Sequence, residues 1–101
     1  MSHGWSESDK NLVRAALGRA QKRANDEVLQ LFKKETVRKI EDVWALERKI
    51  GEWRRERSGK FYFDYSTIES VLAECIRRGW LKFSDLQSLS EIRLEKIKKM
   101  A

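Results

Sequence analysis

Proline is absent from all 101 residues, and there are only five glycines, one cysteine and one histidine. Without proline, nothing in the chain removes a helical N–H donor or wedges a ring against the preceding turn, so long helices can run uninterrupted. A lone Cys75 cannot close an internal disulfide, and nothing argues for an oxidising compartment. His3 sits in the first few residues and has no Cys or His at metal-ligand spacing. No glycine-rich phosphate loop is present. No apolar run approaches the roughly 20 residues that span a bilayer, and the N-terminus lacks a signal-peptide core. The expectation is a cytoplasmic chain without cofactor, metal or catalytic machinery.

Charge, by contrast, is abundant. Charged residues make up 38% of the chain and hydrophobic ones 41%, with a net charge of +6. That is a folded, strongly solvated composition, in one domain with a modest core. Positive residues are interleaved with acids along the whole length. Their densest cluster is Trp53-Arg54-Arg55-Glu56-Arg57, with Lys60 just beyond. It reads either as a solvated helix face or as a patch for an anionic partner.

The first helix is expected to start near Ser6 or Ser8, with Glu7 and Asp9 favouring the positive end of the dipole. Val13, Leu17, Ala20, Ala24, Val28 and Leu31 then recur at helical spacing, broadened by Leu12, Ala16 and Phe32, and nothing interrupts the pattern until about Thr36. Some 25–28 helical residues reach roughly 40 Å, whereas a compact domain of this size has a radius of gyration near 13 Å. Such a helix overhangs its own globule, and a second chain is the simplest cover for its apolar stripe. The alternative is a monomer in which the second helix packs along the first.

The second helix is placed at about Asp42–Arg57, with Val43, Leu46, Ile50 and Trp53 on one stripe and Ile40 and Trp44 widening it. Glu47 and Arg54 project into that apolar face. They require pairing with another element or chain, unless both snorkel to water. Ser58-Gly59 should end the helix, and the aromatic run from Phe61 to Tyr65 follows, where a two-stranded element has no evident partner. A third helix, capped by Asp64 or Ser66, carries Ile68, Val71, Leu72, Cys75 and Ile76 on one face, and Gly79 stands at its left-handed cap position. Trp80, Leu81 and Phe83 then fold back as core. Ser84-Asp85-Leu86-Gln87 reads as a capping box, and Ser90 caps a last helix bearing Ile92, Leu94, Ile97 and Met100. The expected fold is all-α and dimeric with about four helices: a long arm over 1–57 and a compact helical head over 58–101. Val13, Leu17, Leu31, Val43, Trp44 and Ile50 are the expected dimer interface.

The order and spacing of several segments carry a resemblance. These are Trp5-Ser6, Ile40-Glu41-Asp42-Val43-Trp44-Ala45-Leu46, Gly59-Lys60-Phe61, Ile76 through Leu86, Leu89-Ser90 and Lys96-Ile97-Lys98. Together they resemble the cyanobacterial fluorescence recovery protein family over most of the chain. That resemblance implies a small helical homodimer without cofactor. It would bind the C-terminal domain of light-activated orange carotenoid protein, speed its return from the red to the orange state, and so end photoprotective quenching at the phycobilisome. The family's second helix carries a tryptophan, then histidine and aspartate three and four positions later, and an arginine ten positions after the tryptophan. Trp44 and Arg54 match, but Glu47 and Arg48 stand where the His-Asp pair is expected. This marks the chain as a divergent relative whose partner can differ. The resemblance implies partner contacts through Trp44, Glu47, Arg48 and Arg54, with Lys60 and Lys96 as a second contact. The alternatives are a basic nucleic-acid-binding dimer using Arg54, Arg55, Arg57 and Lys60, and a purely structural oligomerisation unit.

Overall fold

The structure, a computed structural model, describes residues 4–57 and 61–101. Among these residues there are four α-helices and no strand: α1 Glu7–Lys33, α2 Ile40–Arg57, α3 Ile68–Arg77 and α4 Glu91–Met100, with a 3₁₀ turn at Phe83–Leu86. The fold is the expected all-α class. His3, the Ser58-Gly59 stop and Lys60 lie outside the described residues.

Helix α1 starts where its sequence directs. Ser6 is the N-cap, its hydroxyl oxygen accepting from the Asp9 amide at 3.1 Å. Six of its residues are buried, all before Val28: Asp9, Val13, Ala16, Leu17, Ala20 and Ala24. They form the floor of the core, onto which Ile68, Leu72, Ala73 and Cys75 of α3, Trp80 and Leu81, Leu86 and Leu89, and Ile97 of α4 are packed. The head is thus the C-terminal segment closed against the N-terminal half of α1. The remainder of α1 and all of α2 project from it, giving dimensions of 55 × 25 × 22 Å and a radius of gyration of 16.6 Å, against about 13 Å for a compact chain of this length.

This arrangement corrects part of the expected dimer stripe. Val13 and Leu17 are buried by the chain's own α3–α4 segment and offer no surface to a second copy. The overhang argument holds only for the outer half of α1, where Leu31 is half-buried and Leu29 and Phe32 are exposed.

Several head details follow from local chemistry. At the end of α3, Gly79 adopts φ +79°. Its amide donates to the Ile76 carbonyl, and the Trp80 amide donates to the Cys75 carbonyl at 2.9 Å. This Schellman closure swings Trp80 back beneath the helix. The N-cap of α3 is Thr67, not Asp64 or Ser66. The Asp64 carboxylate instead accepts from the Ser66 amide and hydroxyl, which holds it below the ordinary carboxylate range. Ser90 is the N-cap of α4, but its hydroxyl does not serve its own helix. It donates to the buried Asp9 of α1 at 2.9 Å, so one carboxylate ties the first helix to the last. Phe83, expected in the core, is exposed, and so is Ile92 of α4. Phe83 opens the 3₁₀ turn, and only Ile97 of α4 is fully buried.

Asp85 is the second tie between α1 and the head. Its carboxylate accepts from the Lys82 amide and from the Arg23 guanidinium, each at 2.9 Å, with Arg19 beyond at 3.8 Å. The capping contact therefore runs from Asp85 back to Lys82, two residues earlier than the expected start at Ser84. The Arg23 guanidinium, joined by the Lys82 amide, holds the carboxyl below its ordinary value of 3.8. A depressed carboxylate contributes stability that is complete above the unfolded value and lost as pH falls through the folded one. Asp85→Asn should therefore lower stability by roughly 1–2 kcal/mol at neutral pH. The deficit should shrink as the pH falls below the ordinary carboxylate value, because the parent then loses the same contribution. Thermal melts from pH 7 to pH 2.5 would show this; a deficit that does not vary with pH would contradict it.

Candidate partner-binding surface

Helix α2 runs back along the outer part of α1. The Lys49 ammonium meets Glu35 at 2.7 Å near one end, and the Arg57 guanidinium pairs with Glu27 near the other. These contacts set the helix in place but bury little: α2 contains no buried residue. Leu46, Ile50 and Trp53 are half-buried towards α1. Ile40, Val43 and Trp44 are exposed at 54%, 39% and 53%. Large apolar groups this open on one helix face make it a candidate interaction surface.

The residues singled out from the sequence fall into separate places. Glu47, Arg48 and Arg54 line one open concavity of about 620 Å³ together with Val43, Leu46 and Ile50. Trp44 stands one turn N-terminal to Arg48 on the same helix. Lys96 lies on α4 and lines a different, shallower groove with Ile92 and Lys99, so the structure does not join it to the α2 cluster. A third concavity, about 710 Å³, runs between the two arm helices, with Val28 and Leu29 on one wall, Ile50 and Trp53 on the other, and Phe61 and Tyr62 closing its end.

The basic run at the end of α2 is not one uniform patch. Arg57 is largely buried. Its guanidinium pairs with Glu27, approaches Glu56, donates to the Trp53 carbonyl at 3.0 Å and lies 5.8 Å from the Trp80 ring. From the head, Arg78 reaches Glu56 at 3.6 Å and stacks on the same indole at 5.1 Å. Arg57 thus joins α1, α2 and the head. Sequence reasoning assigned it only to a solvated or anion-binding run, since no spacing rule connects residues 27, 57 and 80. Asp9 was likewise read as a dipole partner alone. Its tie to Ser90 spans 81 residues and has no local signal.

Among the described residues, no cluster of histidine, cysteine, aspartate and glutamate could hold a metal ion, and no helix is long and apolar enough to cross a membrane. Cys75 is buried in the core, as its place on the apolar face of α3 indicated. The architecture is that of a small all-helical protein with a closed head and an exposed two-helix arm whose apolar side is open to contact. Residues 5–101 match the family described as photoprotection regulator fluorescence recovery protein, and the chain belongs to that family. The fluorescence recovery protein of Synechocystis sp. PCC 6803 is 26% identical over 99 residues, covering 96% of this chain and 91% of the relative. Among solved structures, the fluorescence recovery protein of Fremyella diplosiphon is similar with a TM-score of 0.88 and 28% identity, over 96% of this chain and 97% of that one. That of Synechocystis sp. PCC 6803 matches with a TM-score of 0.89 and 26% identity, over 95% and 96%.

Proposed function

We propose that this photoprotection regulator acts as a homodimer that binds the C-terminal domain of an orange carotenoid protein and accelerates its return from the red to the orange state. The observation that carries this reading is the arm. A family member with an intact head presents an α2 without one buried residue, carrying Trp44 and Arg54 where the family pattern has them. A helix so poorly covered by its own chain draws its stability from contacts outside that chain. The regulator needs no chemistry of its own. By binding the closing partner better than the open one, it shifts the balance or lowers the barrier between two conformations. Trp44, Glu47, Arg48 and Arg54 make up the working surface, with Lys60 and Lys96 as a second contact.

The test is the dark recovery of photoactivated orange carotenoid protein with and without the chain. Sub-stoichiometric acceleration is expected, since a regulator that releases the closed product turns over. An unchanged rate, in a sample shown to be folded and dimeric, would assign the scaffold to a different partner, to be sought by pull-down.

A further inference from the structure

Helix α2 lies along α1 in a register that its apolar residues alone do not select. Leu46, Ile50 and Trp53 are half-buried towards α1, and none is buried outright. Steps of four and three separate them. A slide of one turn, about 6 Å, would therefore set Ile50 close to where Leu46 stood and Trp53 close to where Ile50 stood. Such a stripe chooses a face of the helix and leaves its stagger open.

Two ion pairs close that choice. Arg57 pairs with Glu27, and Lys49 pairs with Glu35 just beyond the C-cap of α1. Glu35 lies eight residues after Glu27, and Lys49 eight residues before Arg57. The pairs therefore belong to a single antiparallel register, about 12 Å apart along the arm, with residues 31 and 53 level between them. Both acids come from the α1 side and both bases from α2. Sliding α2 by one turn would set Glu27 level with Trp53 or Phe61, and Glu35 level with Ala45 or Trp53. No other register within a turn of the observed one places a base level with both acids. The two pairs differ in weight. Lys49 is exposed, and an ion pair so open to water contributes little alone. The Arg57 side chain is largely buried and also lies over the Trp80 ring of the head. A largely buried cation separated from its carboxylate is costly, so a slipped register meets its main penalty at Arg57 and a second one at Lys49.

We infer that Glu27–Arg57 and Glu35–Lys49 lock the register of α2 on α1, and that Arg57 and Lys49 are positioning residues for the partner-facing side of that helix. What the lock serves rests on the binding function proposed above; the lock itself does not. Trp44 and Arg48 are exposed on α2. A slip of one turn would carry both about 6 Å along the arm relative to the head, enough to take a docked side chain out of hydrogen-bond reach. Opposite charges meet in one register, whereas the slipped ones set an acid against an aromatic or small neighbour. The arm is thus specified as much by what the wrong registers lose as by what the right one gains.

Reversal of both acids, Glu27→Lys/Glu35→Lys, tests the lock while leaving every residue of α2 in place. Spin labels on Gln30→Cys and Glu52→Cys, at exposed positions of α1 and α2, report the register by dipolar spectroscopy. Cys75 is buried and stays unlabelled, and dilution with unlabelled chain confines the reading to distances within one molecule. The parent should give one narrow distance. The acid-reversed chain should shift it by about 5 Å or more, one helical turn, or spread it into several distances, with helical circular dichroism unchanged. Glu35→Lys and Lys49→Glu should each broaden the distribution, and Glu35→Lys/Lys49→Glu together should restore it, the non-additivity of directly paired residues. A general loss of structure would not be undone by that exchange. In the dark-recovery assay, the acid-reversed chain should need at least about fivefold more regulator for half-maximal acceleration, with a maximal rate within about twofold of the parent, an effect of about 1 kcal/mol on docking. An unchanged distance in the acid-reversed chain would overturn the lock, whatever the recovery rate. A shifted distance with the parental half-maximal concentration would overturn the positioning role. A parent that gives the narrow distance yet does not accelerate recovery would overturn the partner proposed above, and the distances alone would then decide the lock.

Discussion

Trp80→Ala will cost the fold about 3–5 kcal/mol, the range for removing a buried large aromatic. That is a large fraction of the 5–15 kcal/mol that holds an ordinary domain together. Trp80 is 2% exposed and meets groups from α1, α2 and the end of α3. Phe61 packs on it at 5.5 Å, the guanidinium of Arg57 from α2 and that of Arg78 from the end of α3 lie over its ring, and its carbonyl accepts from Arg23 of α1 at 2.9 Å. Alanine would leave a cavity and two guanidinium groups without the ring that receives them. The backbone bond to Arg23 can survive, so the loss measures packing. Trp80→Phe separates size from polarity. The indole N–H is buried without a hydrogen-bond partner, so losing it leaves no orphaned acceptor, and the phenyl variant should lie within about 1.5 kcal/mol of the parent. Urea denaturation at one fixed protein concentration, which keeps any dimer term constant, distinguishes the cases. An alanine variant within 1 kcal/mol of the parent would show that Trp80 is not the centre of the head.

The same residue shows what the sequence could and could not disclose. Gly79 followed by Trp80 is a local signal: only a left-handed cap position explains the glycine, and the tryptophan after it had to turn inwards. Helix periods in α1 and α3 were legible for the same reason, because their apolar spacing is a property of neighbours in the chain. The partition of the α1 stripe was not. Val13 and Leu17 look the same as Leu31 in the sequence, yet the first two are covered by α3 and α4 while Leu31 is left at the rim of the arm. Which half of a continuous stripe a head closes on depends on where the chain returns. That is set by long-range ties such as Asp9 to Ser90 and Asp85 to Arg23. Phe83 failed as a core residue for a related reason, since it enters a tight turn. On the candidate site, the placing of Glu47 and Arg54 within an apolar face was visible from angular projection alone. The internal role of Arg57 was not legible, because its partners come from three elements.

Arg48→Asp should strengthen the effect on orange carotenoid protein by about tenfold or more, a change of about 1.4 kcal/mol or greater. Arg48 is exposed on α2, four residues after Trp44, at the position where the family pattern carries aspartate. If the docked surface is basic, an arginine there meets like charge, and such juxtaposition costs several kcal/mol at an interface. Restoring the carboxylate removes the repulsion and supplies an attraction. The competing local term is small: aspartate at 48 stands one turn before Glu52, and a like-charged pair at that spacing costs an exposed helix only about 0.2–0.5 kcal/mol. Helix stability therefore cannot mask the docking gain. The measurement is the initial slope of recovery rate against regulator concentration for parent and variant, at two ionic strengths. The difference should contract at the higher salt, because exposed charges are screened beyond about 8–10 Å. Trp44→Ala provides the complementary arm, since removing an exposed aromatic anchor should reduce the slope whatever the charge at 48. An Arg48→Asp variant that dimerises normally and recovers no faster would place the docking surface elsewhere. If Trp44→Ala were also silent, α2 would serve the dimer alone, and the partner contact would have to lie on the head, where Lys96 is exposed on α4.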